Sequence, residues 1–291
     1  MLDQIAHSIG KRTRLKRLLY GHGLNGKLLL LPIDQGLEHG PRDFFDNPDS
    51  IDPEFQLKLA VKGGFSGIVF HIGLAEKYMK EYAGEIPLVL KLNGKTNIPS
   101  DDEAFSSLTG TVEDAVRLGA DAVGYTLYVG SPRQDEDIEQ FMNIRVDAEK
   151  YGMPVIMWAY PRGAAVETKG GRDSLYAIDY AARVACELNA DVVKLNYPVI
   201  DDKKTVHSPS PYNKLSLSAE ESFKKVVKSA GRTMVIVSGG EKISDEELIH
   251  KVEMTMKSGA TGLIFGRNMW QRKIDDALAI TKKIKEIMSR Y

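Results

Sequence analysis

Eight short apolar segments recur along the chain, and their even spacing restricts the possible folds more than any other feature of the sequence. Successive segments begin on average about 33 residues apart, which is the length of a strand, a crossover helix and their connecting turns. All eight are apolar, and they span Leu28–Asp34, Ser66–His71, Pro87–Leu92, Asp121–Leu127, Pro154–Tyr160, Asp191–Tyr197, Thr233–Gly239 and Thr261–Gly266. A strand followed by a helix, repeated eight times, is the pattern that organises this chain.

The apolar character of these segments is nearly continuous, which is typical of parallel strands that are covered on both faces. Between them, apolar residues three and four positions apart predict helices at Pro53–Lys62, Val112–Leu118, Asp137–Lys150, Ser174–Leu188 and Asp245–Met256. Eight such units predict a single α/β domain, a (β/α)8 TIM barrel over residues 28–291. An open doubly wound sheet is the alternative. The count of eight, and the lack of a Gly-x-Gly-x-x-Gly motif after the first strand, favour the barrel.

Residues 1–27 precede the first unit, and we expect them to form an N-terminal helical extension across the lower end of the barrel. Five basic residues fall within Lys11–Arg17. A nucleic-acid-binding arm is one interpretation, but a lone basic stretch is more often a solvated helix face. The chain carries 39 Lys and Arg against 40 Asp and Glu, a formal net charge of −1, so bulk attraction to nucleic acid is not expected.

Composition also restricts the cellular setting. The single cysteine, Cys186, cannot form an intramolecular disulfide or a thiolate metal cage, so we expect a reducing compartment. No apolar run approaches the roughly 18 residues of a membrane-spanning helix. The first 25 residues lack the apolar core of a secretory signal. We therefore expect a soluble, cytoplasmic protein with no nucleic-acid or membrane partner.

Four of the predicted strands carry a polar side chain at the carboxyl end, where the active sites of barrels lie. These side chains are Asp34, Lys91, Tyr160 and Lys194. Strand alternation places Asn196 on the same face as Lys194, and Trp158 on the same face as Tyr160. If these faces point inward, the polar groups converge on the barrel axis.

Lys194 is the most informative of these residues, because its neighbours in the sequence are apolar. Desolvation lowers the pKa of such an ammonium towards neutrality. A neutral amine in a closed site can attack a carbonyl and form an iminium, which makes the neighbouring carbon acidic. The alternative is a structural ion pair with a carboxylate such as Asp34. Lys91 is an equally good candidate for this amine, and periodicity alone does not choose between the two lysines.

Tyr160 is a candidate general acid and base. Its ordinary pKa of about 10 suits proton donation to a developing alkoxide, and we expect a nearby ammonium to lower that pKa. The alternative is an aromatic side chain that caps the barrel rim. Asp34 is a candidate for binding substrate hydroxyls or for balancing the charge of the lysines.

Glycine-containing turns follow the seventh and eighth predicted strands, at Ser238-Gly239-Gly240 and Gly266-Arg267-Asn268. Barrels that bind phosphorylated substrates place the phosphate at these two loops, where backbone N–H groups and a helix N-terminus meet the anion. Arg267 adds a bidentate donor. The alternative is that the glycines only make tight turns. Because both turns occur in the expected units, the sequence predicts a site for one end of a sugar phosphate.

The histidines do not indicate a metal site. They form no close His-x-His or His-x-x-x-His pair, and they are His7, His22, His39, His71, His207 and His250. We therefore expect no metal and no other cofactor. A site assembled from distant loops, such as His39 with His71, stays open.

A long polar segment, Ile200–Ser216, follows the sixth predicted strand. Loops of this length are uncommon in compact domains unless they have a function. In a barrel this loop lies on the active-site face, so we predict a lid.

Five motifs together point to a known family. In chain order they are Asp34-Gln35-Gly36-Leu37-Glu38-His39-Gly40-Pro41, Lys91-Leu92-Asn93-Gly94-Lys95-Thr96, Trp158-Ala159-Tyr160-Pro161-Arg162-Gly163, Lys194-Leu195-Asn196-Tyr197, and Ser238-Gly239-Gly240 with Gly266-Arg267. With these motifs the chain resembles the archaeal-type class I fructose-1,6-bisphosphate aldolases, a (β/α)8 family. The resemblance runs over nearly the whole chain from about Leu28, and it agrees with the fold that the strand spacing predicts.

The resemblance implies roles for individual residues. Lys194 is then the Schiff-base lysine, Tyr160 the proton donor and acceptor, and Asp34 the group that orients the hydroxyls at the bond being cleaved. Lys91 is a neighbouring positive charge that helps to keep Lys194 neutral by repulsion. The residues expected at the substrate are Gln35, His39, Lys91, Trp158, Arg162, Asn196, Ser238, Gly239, Gly240, Gly266 and Arg267, the last five at the phosphate on C1.

The resemblance also implies the reaction and the assembly. The reaction is the reversible cleavage of fructose 1,6-bisphosphate to dihydroxyacetone phosphate and glyceraldehyde 3-phosphate in glycolysis or gluconeogenesis. It proceeds through a covalent iminium, without a metal. The assembly is a ring-like homo-oligomer such as a decamer. For the second phosphate, on C6, the candidates are Arg162 and His39, with Lys203 or Lys204 closing over it.

Two other functions stay open at this point. Related Schiff-base barrels make an aminodeoxyheptulosonate precursor of aromatic amino acids or process a phosphorylated signalling ketone, although the Lys91–Thr96 stretch is more similar to the bisphosphate aldolases. A phosphosugar-binding barrel without turnover would keep the phosphate site but would not need both Lys194 and Tyr160. The presence of both residues argues against it.

Overall fold

The computed structural model describes residues 8–291, and eight of the ten strands in this range form a closed barrel. The strands are β1 (Leu28–Pro32), β2 (Gly67–His71), β3 (Leu88–Lys91), β4 (Asn93–Gly94), β5 (Ser107–Leu108), β6 (Ala122–Val129), β7 (Val155–Pro161), β8 (Val192–Leu195), β9 (Met234–Ser238) and β10 (Gly262–Ile264). β4 and β5 pair with each other as a short antiparallel hairpin outside the barrel. Each of the eight predicted segments coincides with one barrel strand, and β6 and β7 extend past the predicted ends by two residues and one residue.

Around the barrel the strands run in the order β1, β2, β3, β6, β7, β8, β9 and β10, and β10 pairs back to β1. Every pair in the barrel is parallel. The closed order excludes an open doubly wound sheet, so the prediction of a (β/α)8 barrel is confirmed. It also brings all eight carboxyl strand ends to one mouth. The division into a segment 1–27 and a domain 28–291 stays a prediction.

Burial on both faces explains why the strands are almost continuously apolar. Side chains of a strand point alternately to opposite faces. Leu30, Val69, Val89, Ile156 and Val192 therefore pack together inside the barrel, while the residues between them pack against the helices in a larger outer core. The inward face of β8 carries both Val192 and Lys194, as alternation predicts, which brings the lysine into the barrel.

The helices surround the barrel and connect its strands. The α-helices of the described residues are α1 (Ile9–Tyr20), α2 (Gln35–His39), α3 (Pro53–Gly63), α4 (Ile72–Tyr78), α5 (Val112–Arg117), α6 (Gln134–Lys150), α7 (Ala164–Glu167), α8 (Leu175–Glu187), α9 (Asp202–Thr205), α10 (Ala219–Ser229), α11 (Asp245–Lys257), α12 (Arg267–Trp270) and α13 (Ile274–Met288). Short 3₁₀ turns occur at Pro41–Phe44, Pro48–Ile51, Met79–Tyr82 and Tyr212–Lys214. The five predicted helices correspond to α3, α5, α6, α8 and α11. Within residues 8–291, each helix is too short or too polar to cross a lipid bilayer.

Helix α1 closes the lower end of the barrel, as predicted for the N-terminal extension. Leu15, Leu18 and Leu19 are buried against the inner residues of the strands, including Leu28 and Met234. These contacts exclude water from the barrel interior. The predicted extension also includes residues 1–7, which lie outside the described residues.

The basic residues of α1 bind the lower rim of the barrel. Lys11 is buried, and its Nζ lies 3.0 Å from a carboxylate oxygen of Glu149 and 3.2 Å from one of Asp191. Arg17 pairs with Asp121. The expectation of a solvated basic face is therefore wrong for Lys11, because this side chain is buried against acidic residues of the barrel rim, but it holds for Arg17, which is 53% exposed.

Candidate active site

A polar cavity of about 190 Å³ opens at the carboxyl ends of the barrel strands. A larger groove, of about 1050 Å³, lies on the outside between α3 and α13. Volume does not decide between them, because a reactive site needs titratable groups that are shielded from water. The strand-end cavity has such groups in its lining, which consists of Asp34, Gln35, Glu38, His39, Tyr160, Arg162, Lys194, Asn196, Ser238, Gly239, Gly240, Ile264, Gly266 and Arg267.

The cavity brings together predicted site residues that are far apart in the sequence. Asp34 follows β1, Tyr160 lies on β7 and Lys194 lies on β8. Lys91 and Trp158 are the exceptions, because both are completely buried and neither lines the cavity. The predicted contact of these two residues with substrate therefore stays a prediction.

Lys194 is a buried amine with no polar partner. Its side chain is 6% exposed, and its Nζ lies 5.3 Å from the ring centroids of both Trp158 and Tyr160. Nothing in residues 8–291 forms a hydrogen bond or an ion pair with this nitrogen. Burial lowers the pKa of the ammonium, the carboxylate of Asp34 opposes this shift, and the cation of Arg267 adds to it. An uncharged amine that faces the cavity is suited to attack a carbonyl.

Lys91, which the sequence could not distinguish from Lys194, has an ammonium group whose hydrogen-bond donors are all used. Its Nζ donates to the backbone oxygen of Asn93 at 2.8 Å and to Oγ1 of Thr126 at 2.7 Å, with Oδ1 of Asn93 at 3.4 Å. Three acceptors match the three N–H groups of an ammonium, so no lone pair is available for attack. Burial lowers the pKa of Lys91 as well, and the charge of Lys194 adds to this effect. The repulsion between the two ammonium groups is mutual, as expected, and Arg267 is a further cation that lowers the pKa of Lys194.

Tyr160 differs from the expectation in the direction of its pKa shift. Burial raises the pKa of this phenol well above its ordinary value, and the negative charges of Glu38 and Asp34 raise it further. Arg162 and Arg267 act in the opposite direction without reversing the shift. The prediction of a lowered pKa is wrong because desolvation of the phenolate outweighs the attraction of the cations. In the cavity Tyr160 is therefore a neutral phenol that can donate a proton.

Glu38 lines the cavity and was missed as a site residue in the sequence. Its Oε1 is buried and has no hydrogen-bond partner within residues 8–291. Burial and the charge of Asp34 raise the pKa of Glu38, while Lys91 and Lys194 oppose the shift. The signal for Glu38 in the sequence was its position inside the first of the five motifs, Asp34–Pro41. A carboxyl group with a raised pKa is a second group that can hold a proton in this cavity.

Free backbone N–H groups line the wall formed by the loops after β9 and β10. We call this wall, formed by 238–240 and 266–267, the anion cup. Gly240, Gly266 and Arg267 donate no backbone hydrogen bond within residues 8–291, so their N–H groups can bind an anion. Gly239 instead donates to the carbonyl oxygen of Ile264 at 3.2 Å. Its N–H group is therefore engaged within the protein, and the predicted contact of Gly239 with a phosphate stays a prediction.

Two side chains behind the anion cup hold its backbone in place. Asn268 is completely buried, donates to the carbonyl oxygen of Glu241 at 2.8 Å and accepts from the N–H of Ile243 at 3.0 Å. Lys251, on α11, donates to the carbonyl oxygen of Gly239 at 3.2 Å. A Cβ at Gly239 would lie only 2.9 Å from Nδ2 of Asn268, so close packing requires a glycine there. The sequence contained no signal for these two supporting residues.

Other hydrogen bonds orient the predicted side chains. Nδ1 of His39 lies 2.6 Å from Oδ2 of Asp43, and Nε of Arg267 lies 3.9 Å from the same oxygen. The hydroxyl of Ser238 donates to Oδ1 of Asn196 at 2.7 Å. These contacts reduce the freedom of side chains that face the cavity, so less conformational entropy is lost when a ligand binds.

The polar segment Ile200–Ser216 packs against α8, where the rings of Tyr212 and Tyr176 are in contact. Its Tyr212 donates a hydrogen bond of 2.5 Å to Asp179 on α8. Neither Lys203 nor Lys204 lines the cavity. A lid, and a contact of these lysines with a second phosphate, therefore stay predictions.

Residues 8–291 contain no group of three or more His, Cys, Asp and Glu side chains placed to hold a metal ion. The pair His39 and His71, left open by the sequence, has separate partners. His39 is held by Asp43, whereas Nδ1 of His71 lies 3.2 Å from the hydroxyl of Thr109. Burial lowers the pKa of His71 to about 4, so this imidazole is neutral at pH 7.

Comparison with known families and proteins gives matches over most of the chain. The family model described as DeoC/LacD family aldolase matches residues 28–272. The chain is 42% identical over 264 residues to a Thermoproteus tenax protein named fructose-bisphosphate aldolase class 1, covering 90% of each chain. It is 34% identical over 287 residues to a Methanocaldococcus jannaschii protein named fructose-bisphosphate aldolase/6-deoxy-5-ketofructose 1-phosphate synthase, covering 95% of this chain and 86% of that protein.

Solved structures of similar fold include an archaeal fructose-1,6-bisphosphate aldolase whose catalytic lysine is covalently bound to the carbinolamine intermediate of its substrate. That chain is 40% identical, with a TM-score of 0.81, and the match covers 95% of this chain and 98% of that one. A fructose-bisphosphate aldolase from Slackia heliotrinireducens is 27% identical, with a TM-score of 0.85, over 100% of this chain and 91% of that one.

Proposed function

Because this chain belongs to the DeoC/LacD family of aldolases, we propose that it is a Schiff-base (class I) aldolase that reversibly cleaves fructose 1,6-bisphosphate to dihydroxyacetone phosphate and glyceraldehyde 3-phosphate. One observation carries the proposal. Lys194 presents a buried amine with a lowered pKa and no polar partner to a cavity that also contains an anion cup. The names of the similar proteins support the choice of substrate.

The first half of the reaction builds the electron sink on Lys194. Its neutral amine attacks the C2 carbonyl of the ketose, and a proton shift from nitrogen to oxygen gives the carbinolamine. Tyr160, a neutral phenol, donates its proton to the leaving hydroxyl, which departs as water. The products of this step are an iminium cation and a tyrosine phenolate. The positive iminium lies beside the phenolate and stabilises it, which offsets the cost of ionising a buried phenol.

The second half cleaves the carbon–carbon bond and resets the enzyme. The phenolate of Tyr160 takes the proton of the C4 hydroxyl, the C3–C4 bond breaks, and glyceraldehyde 3-phosphate leaves. The electron pair of the broken bond moves into the iminium and gives an enamine. Tyr160 then returns the proton to C3, and water attacks the regenerated iminium. The proton released in this hydrolysis returns to Tyr160, so Lys194 and Tyr160 both end in their starting states.

The walls of the cavity position the ketose for these steps. The anion cup follows β9 and β10, next to β8, which carries Lys194. A C1 phosphate in the cup therefore brings C2 towards the amine. Asp34 follows β1, the neighbour of β10, and lines the same cavity, where its carboxylate accepts hydrogen bonds from the hydroxyls at the bond being cleaved.

Borohydride trapping tests this proposal. With dihydroxyacetone phosphate and sodium borohydride, the iminium is reduced to a secondary amine that does not hydrolyse, so an irreversible adduct should form on Lys194. Peptide mapping by mass spectrometry locates the adduct. A phosphosugar-binding barrel without turnover gives no adduct, and an adduct on another residue contradicts the assignment of Lys194. An aminodeoxyheptulosonate-forming barrel is distinguished by its failure to yield triose phosphates from fructose 1,6-bisphosphate.

Removal of divalent metal ions should leave the cleavage rate intact. The iminium on Lys194 supplies the electron sink that a metal ion supplies in metal-dependent aldol chemistry. The measurement compares cleavage rates before and after dialysis against EDTA, with Zn²⁺ or Mg²⁺ added back in parallel. Strong inhibition that added metal reverses would favour a metal-dependent mechanism instead.

The assembly and the compartment form a separate part of the proposal. The chain works in the cytoplasm as a homo-oligomer, which is the expectation from the family resemblance. Light scattering coupled to size-exclusion chromatography measures the subunit number. A monomer at working concentrations would contradict the expected assembly without affecting the chemistry proposed for Lys194.

A further inference from the structure

Glu38 is a carboxyl group at the cavity that the steps proposed for Lys194 and Tyr160 do not use. It lies in α2, the short helix that follows β1, and its side chain lines the cavity, as that of Asp34 does. Its Oε1 is shielded from solvent and has no hydrogen-bond partner within residues 8–291. Because nearly all buried polar atoms of native proteins are paired, an unpaired carboxyl oxygen at a cavity is a candidate for a role in the reaction.

The loop between β4 and β5 contacts both Glu38 and the end of β7. The backbone N–H of Asn97, in this loop, donates to the carbonyl oxygen of Glu38 at 2.8 Å. Asp101, in the same loop, has a carboxylate oxygen 3.0 Å from Nε of Arg162. Arg162 comes two residues after Tyr160 in the sequence. One loop thus connects the helix that carries Glu38 with the strand that carries Tyr160.

The phenol of Tyr160 also lacks a hydrogen-bond partner. Its ring contacts Arg162 and Lys194, but its hydroxyl forms no hydrogen bond within residues 8–291. Of the charges that shift the pKa of Tyr160, that of Glu38 has the largest effect. The same is true of the pKa of Tyr128, which pairs with Tyr160 in the register of β6 and β7. Because a charge acts more strongly at shorter range, these effects place the carboxyl of Glu38 on the side of the cavity where Tyr160 lies.

The acidities of the two groups determine which of them gives up a proton more easily. The pKa of Tyr160 is raised well above that of an ordinary phenol, so a phenolate at this position is a strong base. Burial and the charge of Asp34 raise the pKa of Glu38, which favours its neutral form. A carboxyl group with a raised pKa is still a much stronger acid than a buried phenol. A phenolate formed on Tyr160 therefore takes the proton of Glu38, directly or through one water.

We propose that Glu38 is the proton reservoir of Tyr160. After Tyr160 has given its proton to the leaving hydroxyl of the carbinolamine, the carboxyl proton of Glu38 passes to the phenolate, which leaves a neutral phenol and a carboxylate. When the C4 hydroxyl gives its proton to Tyr160, the phenol proton moves back to Glu38. Protonation of C3 and hydrolysis of the iminium draw on Glu38 and refill it in the same way, so both groups end in their starting states. This inference rests on the proposed function and adds a group that acts through Tyr160.

The Glu38→Gln variant tests the reservoir, because it keeps the shape of the side chain and removes the transferable proton. We expect kcat for cleavage of fructose 1,6-bisphosphate to fall by about 10- to 100-fold while KM stays within about threefold, since proton transfer slows and binding does not. The exchange of the C3 proton of dihydroxyacetone phosphate with solvent deuterium should slow with it. The final amount of borohydride adduct on Lys194 counts the competent sites, so rates are expressed per site.

The same substitution in the Tyr160→Phe background separates a reservoir from a structural role. A group that acts only through the Tyr160 hydroxyl has nothing to supply when that hydroxyl is absent. Glu38→Gln should therefore change the rate of the Tyr160→Phe variant by less than about twofold. If Glu38 only supported the packing of α2, or acted on the substrate by itself, it would lower the rate by the same factor in both backgrounds. That additive result overturns the inference, and so does a parent rate in Glu38→Gln.

The matched control is Glu103→Gln, which makes the same change at an exposed acid in the loop between β4 and β5. It should keep the rate of its background in both cases, so that an effect at position 38 is not a general effect of lost negative charge at the barrel mouth.

The same measurements distinguish failure of this inference from failure of the proposed function. A parent protein that does not cleave fructose 1,6-bisphosphate and forms no borohydride adduct defeats the proposed function and this inference with it. A parent that cleaves the ketose and forms the adduct on Lys194, but in which Glu38→Gln has no effect or an additive one, defeats the reservoir alone.

Discussion

The Lys194→Ala variant is expected to lose aldol cleavage almost completely, with kcat lowered by at least about 10⁴-fold, the scale on which removal of a covalent nucleophile acts in an enzyme. Alanine removes the nitrogen that forms the iminium. Without that electron sink, the carbanion left by C3–C4 cleavage has nowhere to delocalise its charge. The measurement is the rate of triose phosphate formation from fructose 1,6-bisphosphate, together with the borohydride adduct, which should also disappear.

Lys91→Met is the matched control for this prediction, because it removes the other buried amine. The three acceptors of Lys91 leave its nitrogen without a lone pair for attack. This variant should therefore still form the borohydride adduct on Lys194, even where its cleavage rate falls. Activity near the parent level in Lys194→Ala, or an adduct that maps to Lys91, would show that Lys194 is not the lysine that forms the iminium. Either result would refute the mechanism.

The Tyr160→Phe variant is expected to slow cleavage by about 10²- to 10⁴-fold, which is the usual contribution of a general acid–base group. The substitution removes the hydroxyl and keeps the ring, so the packing of Arg162 and Lys194 against that ring persists. Two steps should slow together, namely the cleavage of fructose 1,6-bisphosphate and the exchange of the C3 proton of dihydroxyacetone phosphate with solvent deuterium. Both need the same phenolic proton.

Tyr128→Phe provides the comparison for Tyr160. Tyr128 is a buried neighbour whose phenol oxygen accepts a hydrogen bond from the hydroxyl of Ser106. It does not line the cavity. Its loss should change the cleavage and exchange rates far less than the loss of the Tyr160 hydroxyl. If Tyr160→Phe cleaves and exchanges at the parent rates, the proton is carried by another group, and Glu38 becomes the candidate because of its raised pKa.

The strands were predictable because their signal is local. A strand covered on both faces needs apolar residues at nearly every position, and that pattern is visible in a single segment such as Met234–Ser238. The helices α10 and α13 were not predicted, although both bury apolar side chains, at Phe223 and Val226 of α10 and at Ile280 and Ile284 of α13. The inward direction of Lys194 was also predictable, since alternation relates it to Val192, and the barrel confirms it.

The state of each site residue was not predictable from local sequence. The hydrogen bonding of Lys91 depends on Thr126 of β6. The raised pKa of Tyr160 depends on burial and on the charge of Glu38 in α2, so the partners in both cases come from other elements of the fold. The expectation of a lowered pKa for Tyr160 failed for this reason. A nearby cation was predictable, but the extent of burial that outweighs it was not.

By itself, the sequence determined the eight-unit barrel, the end of the barrel at which polar groups converge, and the kinds of side chain available there. Those properties follow from apolar periodicity and residue type, which act over one strand or one helix. Only the tertiary structure decided which lysine keeps a free lone pair and which N–H groups of the anion cup are unpaired. These depend on hydrogen bonds and desolvation among residues from distant parts of the chain, and such contacts exist only once the barrel has closed.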